Sequence, residues 1–105
     1  MTRADDLYAS PTSDLEHARK LLEERLQIAF AMHDSAWRGG DYFMATGSDG
    51  ETYILQRNVI ANSEPAVEEF RDIDTILHVE WTNRSAELLE TLQALGFRRL
   101  RHKEA

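Results

Sequence analysis

Three residue types that form the nucleophilic triad of many hydrolases stand side by side in this sequence, at His33, Asp34 and Ser35. We expect this part of the chain to be extended, and in an extended chain successive side chains point to opposite faces. His33 and Ser35 then share one face while Asp34 lies on the other, so the three side chains cannot relay a proton. The sequence also contains no Gly-x-Ser-x-Gly turn. We therefore predict no catalytic residues here.

Metal binding is the second chemistry that the side chains suggest, because the chain has four histidines. His78 and Glu80 share one face of a predicted strand, which places two potential ligands side by side. A metal site needs a third and often a fourth ligand, and the sequence has no His-x-x-x-His pair and no cysteine. We predict that this pair is polar surface on an open sheet and that the protein holds no metal and no other cofactor.

The most distinctive string runs from Trp37 to Phe43 and contains two adjacent glycines. It precedes a strand rather than a helix, so it lacks the context of a phosphate-binding loop. One interpretation is a tight connection in which Arg38 pairs with Asp34 or Asp41 while Trp37 covers an edge of the core. The other interpretation is a recognition loop, because Trp, Tyr and Arg dominate binding hot spots.

Charge is distributed unevenly along the chain. The whole net charge of -7 lies between Asp34 and Glu80, which hold ten acids and three arginines between them. An acidic field attracts basic surfaces and repels phosphate. The acid-rich stretch from Glu64 to Asp74 and the Trp37 string are both in this part of the chain, so we expect an acidic face with aromatic anchors. The predicted partner-binding residues are Asp34, Trp37, Arg38, Asp41, Tyr42, Glu68, Glu69, Asp72 and Asp74.

The C-terminal end, from Arg98 to Lys103, is locally basic. Nucleic-acid binding would require a wider positive surface with stacking aromatic residues, and the overall acidity argues against it. Basic side chains on an edge strand also prevent aggregation between sheets. We predict no nucleic-acid partner.

The first half of the chain is predicted to contain a flexible tail, a helix and a hairpin. Residues 1–12 read as the tail, and residues 13–105 as one domain. Ser13 and Glu16 form a capping box at the helix start. Residues 28–33 suit either a half-buried strand, which we prefer, or a continued helix. The segments Asp41–Thr46 and Glu51–Asn58 flank an Asp-Gly turn, which indicates a hairpin.

The last third gives the clearest pattern. Thr75–Trp81 alternates as a strand, a helix with a leucine stripe follows, and Gly96 ends it. Phe97–His102 is a final strand, predicted to run parallel to Thr75–Trp81 because one helix intervenes. A single core is predicted to contain Leu77, Val79, Trp81, Leu88, Leu92 and Phe97. The fold class is α+β, in the order α-β-β-β-(α)-β-α-β, with a mixed, mainly antiparallel sheet of about five strands and helices on one face.

Two sets of residues carry a family resemblance. The string Arg38-Gly39-Gly40-Asp41-Tyr42-Phe43, followed by Leu55-Gln56-Arg57-Asn58, resembles short uncharacterised bacterial proteins of the Arg-Gly-Gly-x-Tyr-Tyr type. The resemblance covers most of residues 13–102 and implies no activity. In size, acidity and α/β build the chain is also similar to immunity proteins of bacterial toxin systems, which cover the active site of a toxin. This second likeness transfers no residues.

Our leading hypothesis from the sequence is a non-enzymatic, cytoplasmic protein that masks a basic protein partner, as an immunity protein does. The start of the chain lacks the apolar core of a signal peptide, and no apolar run reaches about eighteen residues, so we expect no membrane association. The alternative is a small enzyme or ligand-binding domain with a pocket near the Trp37–Tyr42 loop. A deep cavity lined by His33, Arg38 and Gln56 would favour the alternative. A homodimer through the open sheet face is compatible with both.

Overall fold

The computed structural model describes residues 2–60 and 63–104. In these residues the chain forms six strands and two α-helices. In chain order they are β1 (Ala4–Ala9), α1 (Leu15–Leu26), β2 (Ala31–Ser35), β3 (Gly40–Thr46), β4 (Thr52–Arg57), β5 (Thr75–Thr82), α2 (Ser85–Ala94) and β6 (Arg98–Glu104). Short 3-10 turns lie at Ala36–Arg38, Ser48–Gly50 and Glu68–Phe70. Neither of these two helices is long and apolar enough to cross a bilayer.

The six described strands form one sheet in the order β2-β3-β4-β5-β1-β6, and every neighbouring pair is antiparallel. The α+β class is therefore confirmed, with six strands rather than about five. β5 and β6 run in the same direction, as predicted, but they do not pair with each other, so the sheet is antiparallel rather than mixed. Both pair with β1, which lies between them.

The additional strand, β1, lies in the segment predicted to be a tail. Leu7 and Tyr8 are only 2% and 0% exposed, and β1 is hydrogen-bonded on both sides within the sheet. The prediction of a flexible tail over residues 1–12 is therefore wrong for residues 4–9. The adjacent Asp5 and Asp6 are typical of solvated chain, but Asp6 is 3% exposed because it has specific partners.

Alternate residues of the central strands point toward the helices and form the core. Phe43, Leu55, Leu77 and Tyr8 stand opposite one another in one row across four strands, and each is at most 5% exposed. The residues of the predicted core that do pack together in this cluster are Leu77, Val79, Leu88, Leu92 and Phe97. Burial of these side chains supplies the main driving force for folding.

Trp81 was predicted to join this core, but its side chain is 51% exposed. The register of β1 and β5 shifts between Ala4 and Asp6, and Trp81 adopts a left-handed φ of 58°. Its backbone N–H donates to Asp5 Oδ1 at 2.8 Å. A bulge of this kind redirects a side chain and breaks the alternation on which the prediction rested.

The boundaries of α1 also differ from expectation. Asp14, not Ser13, caps the helix, since Asp14 Oδ1 accepts hydrogen bonds from the backbone N–H groups of Glu16 and His17 at 3.1 and 3.3 Å. The helix ends at Leu26 because Gln27 has a left-handed φ of 56°. Residues 28–30 are irregular and β2 begins at Ala31, so the ambiguous segment 28–33 is not a continued helix.

Two turn predictions are confirmed. The hairpin of β3 and β4 turns through Asp49 and Gly50, both of which have positive φ angles. Gly96 has a φ of 95°, and the backbone N–H of Phe97 donates to the carbonyl of Leu92 at 3.0 Å. This bond closes the end of α2 in the left-handed manner that glycine favours.

Several of the segments that connect the strands lie at the same end of the sheet. Because the pairs are antiparallel, β2, β4 and β1 end there, while β3, β5 and β6 begin there. The turn between β2 and β3 and the segment between β4 and β5 therefore leave the sheet on the same side. The opposite end carries the β3–β4 hairpin and the start of α2.

Candidate partner-binding surface

Trp37 lies in the Ala36–Arg38 turn between β2 and β3. Ser35 Oγ accepts a hydrogen bond from the backbone N–H of Trp37 at 3.2 Å and thereby caps the turn. Gly39 follows with a left-handed φ of 79°. The Trp37 side chain is 70% exposed. It therefore does not cover the edge of the core, and the structural interpretation of this tryptophan is wrong.

The same turn rests directly on the chain that follows β4. A β-carbon added at Gly39 would lie 2.9 Å from the carbonyl oxygen of Val59, so only glycine allows this approach. Arg38 Nη1 donates to Gln56 Oε1 at 3.1 Å, and Gln56 is 1% exposed. Arg38 thus anchors the turn to β4 and does not pair with Asp34 or Asp41.

Asp34 and Asp41 stand directly opposite each other on β2 and β3. Both residues are exposed, and neither forms an ion pair with another residue in the described ranges 2–60 and 63–104. Like charges at directly opposed positions destabilise a sheet. The pair therefore lowers the stability of this edge, and a cation placed beside it would reverse that effect.

The acidic segment before β5 is only partly neutralised within the chain. Glu68 pairs with Arg71, and Glu69 Oε1 lies 3.0 Å from Arg101 Nη1. Asp72 and Asp74 are exposed, and across the described residues neither enters an ion pair. The two aspartates are thus available to an external cation.

Asn58 holds this segment in place. Asn58 Nδ2 donates to the carbonyl of Phe70 at 2.8 Å, and Asn58 Oδ1 accepts from the backbone N–H of Val67 at 2.8 Å. The asparagine is 8% exposed, so these bonds replace those that a buried amide would make with water. The acidic segment is therefore fixed against the end of β4.

We call the surface formed by Asp34, Trp37, Asp41, Asp72 and Asp74 the acidic end. Three strand spacings separate β2 from β5, or about 14 Å, so these residues fit within one protein interface. Of the remaining predicted residues, Arg38 supports the turn, and Glu68 and Glu69 have partners within the chain. Tyr42 stacks on His33 with ring centroids 5.5 Å apart, and it points away from Asp41 because strand neighbours alternate.

The sequence analysis missed a buried ion pair at the opposite end of the sheet. Glu51 is 0% exposed and accepts hydrogen bonds from Tyr53 Oη at 2.6 Å and Thr82 Oγ1 at 2.8 Å. Arg84 Nε lies 3.1 and 3.2 Å from its two carboxylate oxygens. Burial alone would raise the pKa of Glu51, but the bonds from Arg84, Tyr53 and Thr82 lower it below the usual value. The carboxylate therefore stays ionised in the fold.

The positions of Gly47 and Arg84 show which elements the Glu51–Arg84 ion pair connects. A β-carbon at Gly47 would lie 2.4 Å from Glu51 Oε1, so the hairpin closes tightly on the carboxylate. Arg84 immediately precedes α2. The ion pair thus joins the β3–β4 turn to the start of the helix. Its members are 33 residues apart, and nothing in the local sequence of either residue predicts the contact.

A second buried carboxylate, Asp6, joins β1 to α2 and β6. Asp6 Oδ1 lies 2.5 Å from His102 Nδ1, and Asp6 Oδ2 accepts from Ser85 Oγ at 2.5 Å. Ser85 Oγ lies 3.2 Å from the same Nδ1 atom. In a hydrolytic triad the serine contacts Nε2, whereas Nε2 of His102 faces Glu104. These three residues therefore fasten the helix and cannot activate the serine.

The face of the sheet opposite the helices carries a groove of about 540 Å³. Its lining side chains include His78, Glu80, Arg101 and Lys103. Desolvation, with smaller contributions from Arg38 and Arg101, lowers the pKa of His78 to about 4, so its ring is neutral near pH 7. His33 and Gln56 do not line this groove, so it is not the pocket that the alternative hypothesis required. Among residues 2–60 and 63–104, no three His or acidic side chains converge as metal ligands.

Comparison of the sequence with protein-family models and with curated proteins gives no match.

Proposed function

We propose that this protein is a non-enzymatic binding domain whose acidic end captures a basic protein partner. The observation that carries the proposal is Trp37, a 70% exposed indole on a capped turn, at the same end of the sheet as four carboxylates that form no ion pair in the described chain. Tryptophan anchors are enriched in binding hot spots, and unpaired acids raise the rate of encounter with a basic surface.

Two further features support a protein partner. The Asp34–Asp41 pair weakens the free protein, and a lysine or arginine of a partner would contact both carboxylates and offset their mutual repulsion. The turn is also anchored by the close packing at Gly39 and by the Arg38–Gln56 bond, so its backbone loses little freedom on binding. By extension, we propose an immunity-type role in the cytoplasm, in which the acidic end masks a basic catalytic surface. Under this proposal the partner is a protein and not a nucleic acid.

The first test is affinity capture from native cell extract, followed by binding kinetics on the retained protein. Trp37→Ala should mainly raise the dissociation rate, because it removes an aromatic anchor without altering the charge. We expect affinity to fall about tenfold or more, which corresponds to a hot-spot loss of about 1.4 kcal/mol. Trp81→Ala is the matched control, since Trp81 is also exposed but lies at the opposite end of the sheet.

Recovery of only acidic or neutral proteins, or equal effects of the two tryptophan substitutions, would contradict the proposal. The groove around His78 favours a second candidate, a small-molecule site, because it combines a neutral imidazole with Arg101 and Lys103. A small molecule that copurifies with the protein and is lost in His78→Leu would support that candidate instead.

A further inference from the structure

The two edges of the sheet are protected very differently. β6 forms one edge and carries Arg98, Arg99, Arg101 and Lys103, which block pairing with another sheet. β2 forms the other edge, with the sequence Ala-Met-His-Asp-Ser. It has no lysine, arginine or proline, and no described strand covers its outer side. Its backbone groups are therefore available for hydrogen bonds with an added strand.

The register of β2 shows which side chains an added strand would meet. Met32 stands opposite Phe43 and continues the core row of Phe43, Leu55 and Leu77 to the edge of the sheet. Its side chain is 59% exposed. An apolar residue beside Met32 would extend this row by one strand and cover the methionine.

The next position on the same face is acidic. Asp34 stands opposite Asp41, and strand residues two apart share a face. A residue of an added strand that lies beside Asp34 therefore faces two carboxylates. Only a basic side chain satisfies this position, since an apolar or acidic one would leave the like-charge pair uncompensated.

We propose that β2 receives an extended basic segment of the partner as a seventh strand of the sheet. This inference rests on the proposed function and specifies how the partner binds. The segment carries an apolar residue beside Met32 and a lysine or arginine beside Asp34, separated by one residue. In the chain direction of β2 the motif is apolar-x-basic, and in the opposite direction it is basic-x-apolar.

A second copy of this chain fits the edge less well. Antiparallel pairing of two β2 strands centred on His33 would place Asp34 of each copy beside Met32 of the other. Pairing centred on Asp34 would bring four carboxylates together. The charge at the edge thus selects a basic strand over self-association.

Synthetic peptides test the proposal directly. Two peptides of about nine residues, each with alternating threonine and valine and a single apolar-x-Lys or Lys-x-apolar motif, are titrated into the labelled full-length protein. We expect one of the two to shift the amide resonances of residues 31–35. Replacement of the peptide lysine by glutamate should weaken binding about tenfold or more, because attraction becomes repulsion.

Backbone pairing is tested without changing the protein. Methylation of alternate peptide nitrogens blocks one edge of the peptide, so one methylated series should lose binding while the other retains it.

A substitution in the protein gives a second test. Met32→Lys should abolish binding because a lysine on an edge strand prevents the pairing of a further strand, and Thr46→Lys on β3 is the control substitution. Unchanged thermal midpoints in both variants would show that the fold is intact.

The outcomes separate the two proposals. If neither peptide binds and the captured partner binds Met32→Lys as tightly as wild type, strand addition is wrong while the acidic end stands. If the partner's affinity is also unchanged in Trp37→Ala and after reversal of Asp72 and Asp74, the proposed function fails as well. Dimerisation of the wild type that Met32→Lys abolishes would show that a second copy occupies the edge, and this would overturn the proposal.

Discussion

At the scale of single residues, Glu51 is a buried charge whose hydrogen-bond partners contribute to the free energy of unfolding. Its carboxylate is fully buried and receives bonds from Arg84, Tyr53 and Thr82. Glu51→Gln removes the charge but keeps the shape. We expect it to lower the free energy of unfolding by about 1–3 kcal/mol, since Arg84 and Tyr53 lose a charged acceptor.

The control for this prediction is a second carboxylate near the same arginine. Glu87 Oε2 lies 3.9 Å from Arg84 Nη1, and its side chain is 71% exposed. Exposed pairs of this kind contribute little, so Glu87→Gln should change stability by less than about 0.5 kcal/mol. Denaturant titrations that give equal losses for the two variants would show that burial of Glu51 is not what matters.

His102 gives a prediction about pH. Its hydrogen bond to Asp6 raises its pKa above the ordinary value of 6.5, so the folded protein binds the imidazole proton more tightly than the unfolded chain does. The resulting stability is fully present below pH 6.5 and is lost as the pH rises through the raised pKa. The stability advantage of wild type over His102→Gln should therefore shrink with increasing pH. An advantage that grows with pH in denaturation experiments would contradict the assignment.

At the scale of elements, α2 is fixed to the sheet by its leucines and by the carboxylates of Glu51 and Asp6. These carboxylates bind Arg84 and Ser85 at the start of the helix. Leu92 is 0% exposed within the main core cluster. Leu92→Ala should reduce the free energy of unfolding by about 2–5 kcal/mol, as buried leucines generally do. Thr91→Ala, at the neighbouring position outside that cluster, should change it by less than about 1 kcal/mol. Denaturant titration checks both values, and a loss below about 0.5 kcal/mol for Leu92→Ala would mean that α2 does not pack as described.

The same elements show how far local patterns predict the structure. Periodicity and turn residues predicted the hairpin, β5, α2 and β6, because their signals lie within a few residues of one another. β1 was missed since the groups that bury Asp6 are 79 and 96 residues away in the chain. Trp81 was misplaced because one bulge reverses the alternation after it.

The acidic end was predictable only in part, because local signals identify its residues but long-range contacts decide which of them remain unpaired. Composition pointed to Trp37 and the acids, and the topology brings those elements to one end of the sheet. Which acids remain available depended on long-range pairs such as Glu69 with Arg101, which the sequence does not reveal. Glu51 and Arg84 gave no local signal at all.

At the scale of the whole molecule, the two ends of the sheet differ in the surroundings of their carboxylates. One end carries buried, satisfied carboxylates that hold the fold together. The acidic end carries exposed carboxylates and an exposed tryptophan on an anchored turn, and the opposed Asp34 and Asp41 weaken the free protein there. This difference is what we expect if the end with the buried carboxylates stabilises the fold and the acidic end binds a partner.

The salt dependence of association with the captured partner shows whether the acidic end attracts a basic protein. For wild type, the association rate should fall steeply as ionic strength rises, because exposed charges are screened. Asp72→Lys combined with Asp74→Lys should slow association about tenfold at low salt and flatten its salt dependence. The matched pair Glu24→Lys with Glu90→Lys, on exposed positions of α1 and α2, should change it far less. Equal effects of the two double reversals, or a rate independent of salt, would contradict the account.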